Sequence, residues 1–263
     1  MRAGRLTRRV EVSWQAWALG AAGAVCVGLG KGGLPGIGNL AIVLFALAFG
    51  PKASVGLLLP VLSCADVVAI LIYRRHASWR HIGRLFPAAA VGVIVGFFLF
   101  DAIEVAVFSR VIGSLLLALT ALHFVRQGWL RRKSGSGGEA LPNSRAFAWS
   151  TGIVGGVATM LANAAGPIAA LYLMAMRLPK FAFVGTAAWF FFLVNLFKVP
   201  FQVGLGTITV ASIRTSLVLG MVAAMACSLA PRILARIPQK RFEQVVWLVV
   251  IVAALQMLLS GGG

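Results

Sequence analysis

Residues 14–50 read WQAWALGAAGAVCVGLGKGGLPGIGNLAIVLFALAFG, two apolar runs separated by Gly28-Leu29-Gly30-Lys31-Gly32-Gly33-Leu34-Pro35. A membrane-spanning helix takes about 20 predominantly apolar residues, and the first run approaches that length. The interruption holds four glycines, a lysine and a proline, so a continuous helix across it is not expected. Irregular backbone at membrane depth persists only where protein covers it or where it lines a cavity. The stretch therefore predicts a broken helix whose backbone amides, at Gly30, Gly32 and Gly33, face an anion, with Lys31 adding a full positive charge. Close helix packing on small residues is the plainer use of the same glycines.

The rest of the chain agrees with a membrane solvent. Of 263 residues, 60% are hydrophobic and 11% charged, against roughly a quarter charged in soluble domains. Further apolar segments cover residues 53–73, 82–100, 105–125, 147–161, 167–176, 182–202, 211–230 and 242–259. The predicted fold is an all-α integral membrane bundle of about eight to ten transmembrane or re-entrant segments. The formal charge of +18 would point to nucleic acid in a soluble protein. Here the Lys and Arg residues cluster in short runs between apolar segments, which is a topology signal, so no nucleic-acid partner is expected. The expected surroundings are a lipid bilayer, in a bacterial inner membrane, and a homodimer is compatible with such a bundle.

An internal repeat divides the chain. Pro51-Lys52 and Val55-Gly56 recur as Pro179-Lys180 and Val184-Gly185, about 128 residues later. Residues 1–130 form the first membrane repeat, 131–145 a basic linker loop and 146–263 the second repeat. The same register sets Asp66 opposite Asn195 and, with one further gap, Arg84 near Arg214. Five segments per half would make the repeats inverted. An outside N-terminus would then place most basic loops inside, although four arginines among the first nine residues argue the other way, and residues 40–50 and 167–176 are short enough to re-enter.

The second half carries its own interruption, Asn163-Ala164-Ala165-Gly166-Pro167, with Gly152, Gly155 and Gly156 upstream. Paired broken helices in transporters meet near the bilayer midplane and hold substrate there, so both interruptions are assigned to one site. Asp66 alone of the six acidic residues lies deep in an apolar segment, where it should be paired, protonated or facing water. That makes it the candidate proton-coupling group, with a static interhelical bond as the structural alternative. Asn195 and Lys198, three residues apart, share one helix face. They could line an anion path, or Lys198 could snorkel to the interface, with Pro200 marking a helix end. Thr186 and Gln202 are weaker candidates.

Other chemistries find little support. Gly28, Gly30 and Gly33 match a dinucleotide-binding glycine pattern, but that pattern requires a preceding strand. Cys26, Cys64 and Cys227 have neither disulfide nor zinc spacing, and His76, His81 and His123 lack partners at ligand spacing, so no metal and no cofactor is expected. Tyr73, Trp79, Trp129, Trp149 and Trp247 fit an aromatic belt. No nucleophile with a matching base is recognisable, and an enzyme is not expected.

Taken together, Gly28 to Gly33, Pro60 with Asp66, and Tyr73-Arg74-Arg75 ahead of Trp79-Arg80 resemble the first half of the sulfite exporter TauE/SafE family. Ala165-Gly166-Pro167, Leu171-Tyr172-Leu173, Val184-Gly185-Thr186 and Asn195-Leu196-Phe197-Lys198 resemble its second half. The resemblance implies a secondary transporter exporting sulfite, sulfoacetate or related organosulfonates and driven by the proton gradient. Phe201-Gln202 departs from the tyrosine expected after Pro200, which bears on the substrate. An anion channel, or a membrane scaffold without transport, is the alternative reading.

Overall fold

The computed structural model describes residues 13–34, 37–102, 145–176, 178 and 180–234, with isolated positions between 107 and 125 and between 248 and 258. The predicted segments 105–125 and 242–259, and the linker at 131–144, therefore lie largely or wholly outside the described residues. So do the N-terminal arginines, Pro35, His123, Trp129, Pro179 and Trp247.

Eight α-helices occupy the described residues: α1 (Trp14–Lys31), α2 (Ile37–Phe49), α3 (Pro51–Tyr73), α4 (Trp79–Ala102), α5 (Arg145–Ala162), α6 (Gly166–Ala175), α7 (Lys180–Gly204) and α8 (Val210–Leu234). Four stretches are long and apolar enough to cross a bilayer: Pro51–His76, Trp79–Phe100, Phe181–Gly204 and Val210–Arg232. Leu71, Phe98, Met221 and Met225 stand exposed on these helices, as lipid-facing side chains should. The molecule is an all-helical integral membrane bundle, and the segment predicted at 40–50 is the 13-residue α2.

Helix boundaries follow local chemistry. Ser13 caps α1, its hydroxyl accepting from the Ala16 amide at 3.2 Å. Gly50 takes φ +85° and Pro51 opens α3, the first-turn place where a missing N–H costs nothing. Pro60, Pro87, Pro200 and Pro231 all lie inside helices. Pro200 thus does not end its helix: α7 continues to Gly204.

The first interruption is narrower than the sequence suggests. Helix α1 runs unbroken through Gly28 and Gly30 and stops after Lys31, and Gly33 turns the chain at φ +120°. Helices α1 and α2 form an antiparallel hairpin. An added Cβ on Gly30 would lie 3.1 Å from the Gly38 nitrogen, and one on Gly23 2.7 Å from the Phe45 ring.

Contacts between the two halves are reciprocal. Helix α1 lies parallel to α8: a Cβ on Gly28 would come within 2.1 Å of the Ala223 carbonyl oxygen, and one on Gly32 within 2.4 Å of the Ala230 Cβ. Helix α5 lies parallel to α4 in the same way: a Cβ added to Gly156 would come within 2.1 Å of the Ala89 carbonyl oxygen, and one on Gly152 within 2.4 Å of the Ala88 Cβ. Small residues let these backbones approach, which is how membrane helices gain packing without a hydrophobic drive between them. Between these outer pairs α3 and α7 run antiparallel. Gly56, near the start of α3, sits against Thr207 just beyond α7, and Gly185, near the start of α7, sits against Tyr73 at the end of α3.

Candidate functional site

Midway along the α3–α7 contact lies a cluster of buried polar groups. Asp66 is fully buried on α3. Its Oδ1 is 2.6 Å from Lys31 Nζ, at the last residue of α1. Its Oδ2 accepts a hydrogen bond of 2.8 Å from Asn195 Nδ2 on α7. Lys31 also sits over the Phe191 ring, 4.2 Å from the centroid, a cation–π contact that shields the ammonium from the apolar interior. Lys31 keeps 15% of its side chain accessible while Asp66 keeps none.

A second cluster lies one turn further along α7. Lys198 is fully buried and does not snorkel, since Pro200 leaves it well inside the helix. Its Nζ donates to the Thr159 carbonyl at 2.7 Å, to Thr159 Oγ1 at 3.2 Å and to Asn163 Oδ1 at 2.5 Å. Asn163 holds φ +54°, the left-handed conformation that asparagine tolerates better than most side chains. Its Nδ2 donates to the Val55 carbonyl on α3 at 3.0 Å, so the second interruption is fastened to both central helices. The amide orientation is fixed by having a donor at one atom and an acceptor at the other.

Helix α7 joins the clusters. Phe191, Asn195, Lys198 and Gln202 recur at helical spacing and form one stripe. The upper two meet Lys31 and Asp66, and Lys198 meets Thr159 and Asn163. Gln202 donates to the Met160 carbonyl at 3.4 Å, and its Oε1 accepts from the Thr207 hydroxyl. Thr186 instead accepts from the Ser78 amide at 2.8 Å, at the end of the bundle away from this stripe.

The sequence-selected residues thus divide. Lys31, Asp66 and Asn195 are brought into direct contact, as are Asn163 and Lys198. Gly30 serves the α1–α2 hairpin, and the Gly32 carbonyl accepts from Tyr73 Oη at 3.1 Å. The amides of the first interruption are largely committed, with Gly32 N–H bonded to the Gly28 carbonyl at 2.8 Å and Leu34 N–H to that of Leu29 at 3.2 Å. Lys31 closes the C-terminus of α1, and the first turn of α2 packs against the neighbouring Gly30. Gly166 and Pro167 open α6, with Gly166 exposed. Thr159 and Phe191 were missed by sequence reading. Each stands four residues before a selected asparagine, a spacing that places it on the same helix face.

A family model described as sulfite exporter TauE/SafE matches residues 15–257. The chain belongs to the TauE/SafE family. No curated protein and no solved structure matches it. TauE/SafE proteins are membrane exporters of sulfite and related sulfur anions, so this chain is a multi-pass membrane transporter of that class. The matched region takes in every member of both polar clusters. In this TauE/SafE chain the lysines of the two clusters differ in their partners: Lys31 meets a carboxylate, and the hydrogen bonds of Lys198 go to neutral oxygens.

Proposed function

We propose that the protein is a secondary carrier that exports small sulfur-containing anions, such as sulfite or organosulfonates, across the bacterial inner membrane in exchange for or together with protons. The carrying observation is a pair of lysines at the α3–α7 contact, Lys31 part-buried and Lys198 fully buried, each tied to a chain interruption and one of them paired with a carboxylate. Helices that stop inside a bundle cost backbone hydrogen bonds, and charges buried beside them cost solvation, so both are retained where a polar ligand passes.

Reciprocal packing supports an inverted repeat: α3 and α7 run antiparallel, and Gly56 and Gly185 make equivalent contacts at opposite ends. Two related halves that grip one site from opposite sides are suited to alternating access. Asp66 is the proton-coupling group in this reading, because taking a proton would release Lys31 and Asn195 from it. Lys31, Lys198, Asn195, Asn163 and the glycines of both interruptions form the substrate path.

The test is flux into proteoliposomes under an imposed pH gradient, with sulfite and sulfoacetate as substrates. Expected is uphill movement in the wild type and loss of coupling in Asp66→Asn. Flux that only ever runs downhill would make the protein an anion channel. Absence of flux in folded protein that copurifies with a partner would favour a scaffold.

A further inference from the structure

The turn that joins α3 to α4 carries a concentration of positive charge that the carrier mechanism leaves unused. Residues 74–80 read RRHASWR, and no acidic residue occurs between Asp66 and Asp101. Arg74, Arg75, His76, Trp79 and Arg80 are all exposed, and among the described residues none of these arginines meets a carboxylate. The backbone beneath them is fixed against α7. A Cβ on Gly185 would lie 2.7 Å from the Tyr73 carbonyl oxygen and 3.1 Å from the Ala77 nitrogen, and the Ser78 amide donates to Thr186 Oγ1 at 2.8 Å. The His76 ring lies 5.4 Å from that of Phe181, itself exposed. A turn held in this way presents its charges to a ligand with little further cost in backbone order.

Apolar surface continues from the arginines into the membrane. Two of the candidate spans, Pro51–His76 and Trp79–Phe100, meet at this turn, which places it at headgroup depth. Leu71, four residues before Arg75, is exposed, and Pro87, Val91 and Ile94 continue the exposed face of α4 beyond Arg80 at helical spacing. Helices α3 and α4 each pack on α7 and have little contact with one another. The Trp79 ring lies 5.1 Å from Trp189 of α7, which in turn meets Phe192 at 6.2 Å. A free, hydrated phosphate gains nothing from such a surface, whereas a phosphodiester that carries acyl chains uses the charge and the apolar face together. We propose that Arg74, Arg75 and Arg80 hold the phosphate of an anionic phospholipid whose acyl chains lie along Leu71, Trp79 and the outward face of α4. The guanidinium fork suits phosphate oxygens, and basic side chains at this depth are attracted to an anionic leaflet. Such a site is independent of what the carrier moves. It also adjoins the first interruption, because Tyr73 directly precedes Arg74 and its hydroxyl donates to the Gly32 carbonyl beside Lys31.

The experiment is thermal unfolding of the purified full-length protein in a neutral detergent, titrated with phosphatidylglycerol, phosphatidylcholine or glycerol 1-phosphate. Phosphatidylglycerol should raise the unfolding temperature saturably, and the other two should not. Arg74→Gln/Arg75→Gln/Arg80→Gln should raise the half-saturating concentration of phosphatidylglycerol by about tenfold or more. Arg214→Gln, which removes an exposed arginine at the start of α8, should leave it unchanged. Should the triple variant fail to fold, Arg74→Gln and Arg80→Gln singly should each raise it by about fivefold. Equal stabilisation by phosphatidylcholine would make the effect one of acyl chains alone, and equal stabilisation by glycerol 1-phosphate one of free phosphate; either overturns the headgroup site. So would an unchanged half-saturation in the Gln variants, or an equal shift in Arg214→Gln. Each of these outcomes leaves sulfite flux untouched, so the carrier reading stands or falls separately.

Discussion

The two interruptions do the same architectural task with different charges. At the first, Lys31 ends α1 and meets a carboxylate on the central helix of its own half. At the second, Asn163 follows α5 and meets Lys198, again on the central helix of its own half. The lysine stands at the interruption in the first case and on the central helix in the second, and Asn195 meets Asp66 across the two central helices. What this teaches is that both interruptions are fastened through a lysine, the first to a carboxylate and the second to neutral oxygens. An ion pair can hold helices together with nothing bound, and the second cluster does the same through hydrogen bonds to neutral oxygens.

The comparison breaks most readily at the ion pair. Removing one member of a buried pair strands the other and costs roughly 3–5 kcal/mol. Asp66→Ala should lower the unfolding temperature of the purified protein strongly, and Lys31→Met/Asp66→Asn should recover much of that loss. If the double variant were no more stable than the single one, the pair would not be the unit described here. Next come the glycine seams. A Cβ at Gly28 or Gly156 would run into backbone carbonyl oxygens that have no rotamer to escape by. Gly28→Ala and Gly156→Ala should each cost at least about 1–3 kcal/mol, and similar losses at both would sharpen the equivalence of the α1–α8 and α5–α4 contacts. Thermal unfolding in detergent measures both.

Lys198→Met separates the clusters. It removes a buried polar head while leaving the Thr159 hydroxyl and Asn163 Oδ1 without their lysine partner, the Thr159 carbonyl keeping the Asn163 N–H at 2.9 Å, and opposing terms of about 1–3 kcal/mol should nearly balance. The expected outcome is near wild-type stability with transport lost, in contrast to the unstable Asp66→Ala. A collapse in stability would show that Lys198 holds the second interruption together. The smallest effect belongs to Gly38→Ala in α2, where an added Cβ meets nothing within 4 Å. Replacing glycine in the first turn of a helix without a clash should stabilise by about 0.4–1 kcal/mol, chiefly by restricting the unfolded chain.

Much of this was legible in advance. Asp66 and Asn195 were placed opposite one another by the repeat register, and they share a hydrogen bond. Both interruptions were visible because glycine, proline and asparagine stand out in an apolar background. The extent of the first was not. Glycines at 28 and 30 looked like helix breakers, but with α8 and α2 packed against them they are the reason those helices can come close. Propensity measured in water counts against such residues, and membrane packing reverses the sign. Pro200 misled in the same direction, suggesting a helix end and an interfacial Lys198 where the helix continues and the lysine is buried.

Composition and segment length determined the membrane bundle, because a bilayer leaves a chain so apolar with little choice but helices whose backbone groups are satisfied internally. Spacing along the chain determined that polar residues would recur at matching depths. Which lysine found the carboxylate was decided only by the tertiary structure. Lys31 and Lys198 both lie on helices beside Asp66's own, and side-chain reach is set by how closely those helices pack. The turn at Gly33 follows the end of α1, whose last residue Lys31 meets Asp66, while Lys198 turns toward Thr159 and Asn163.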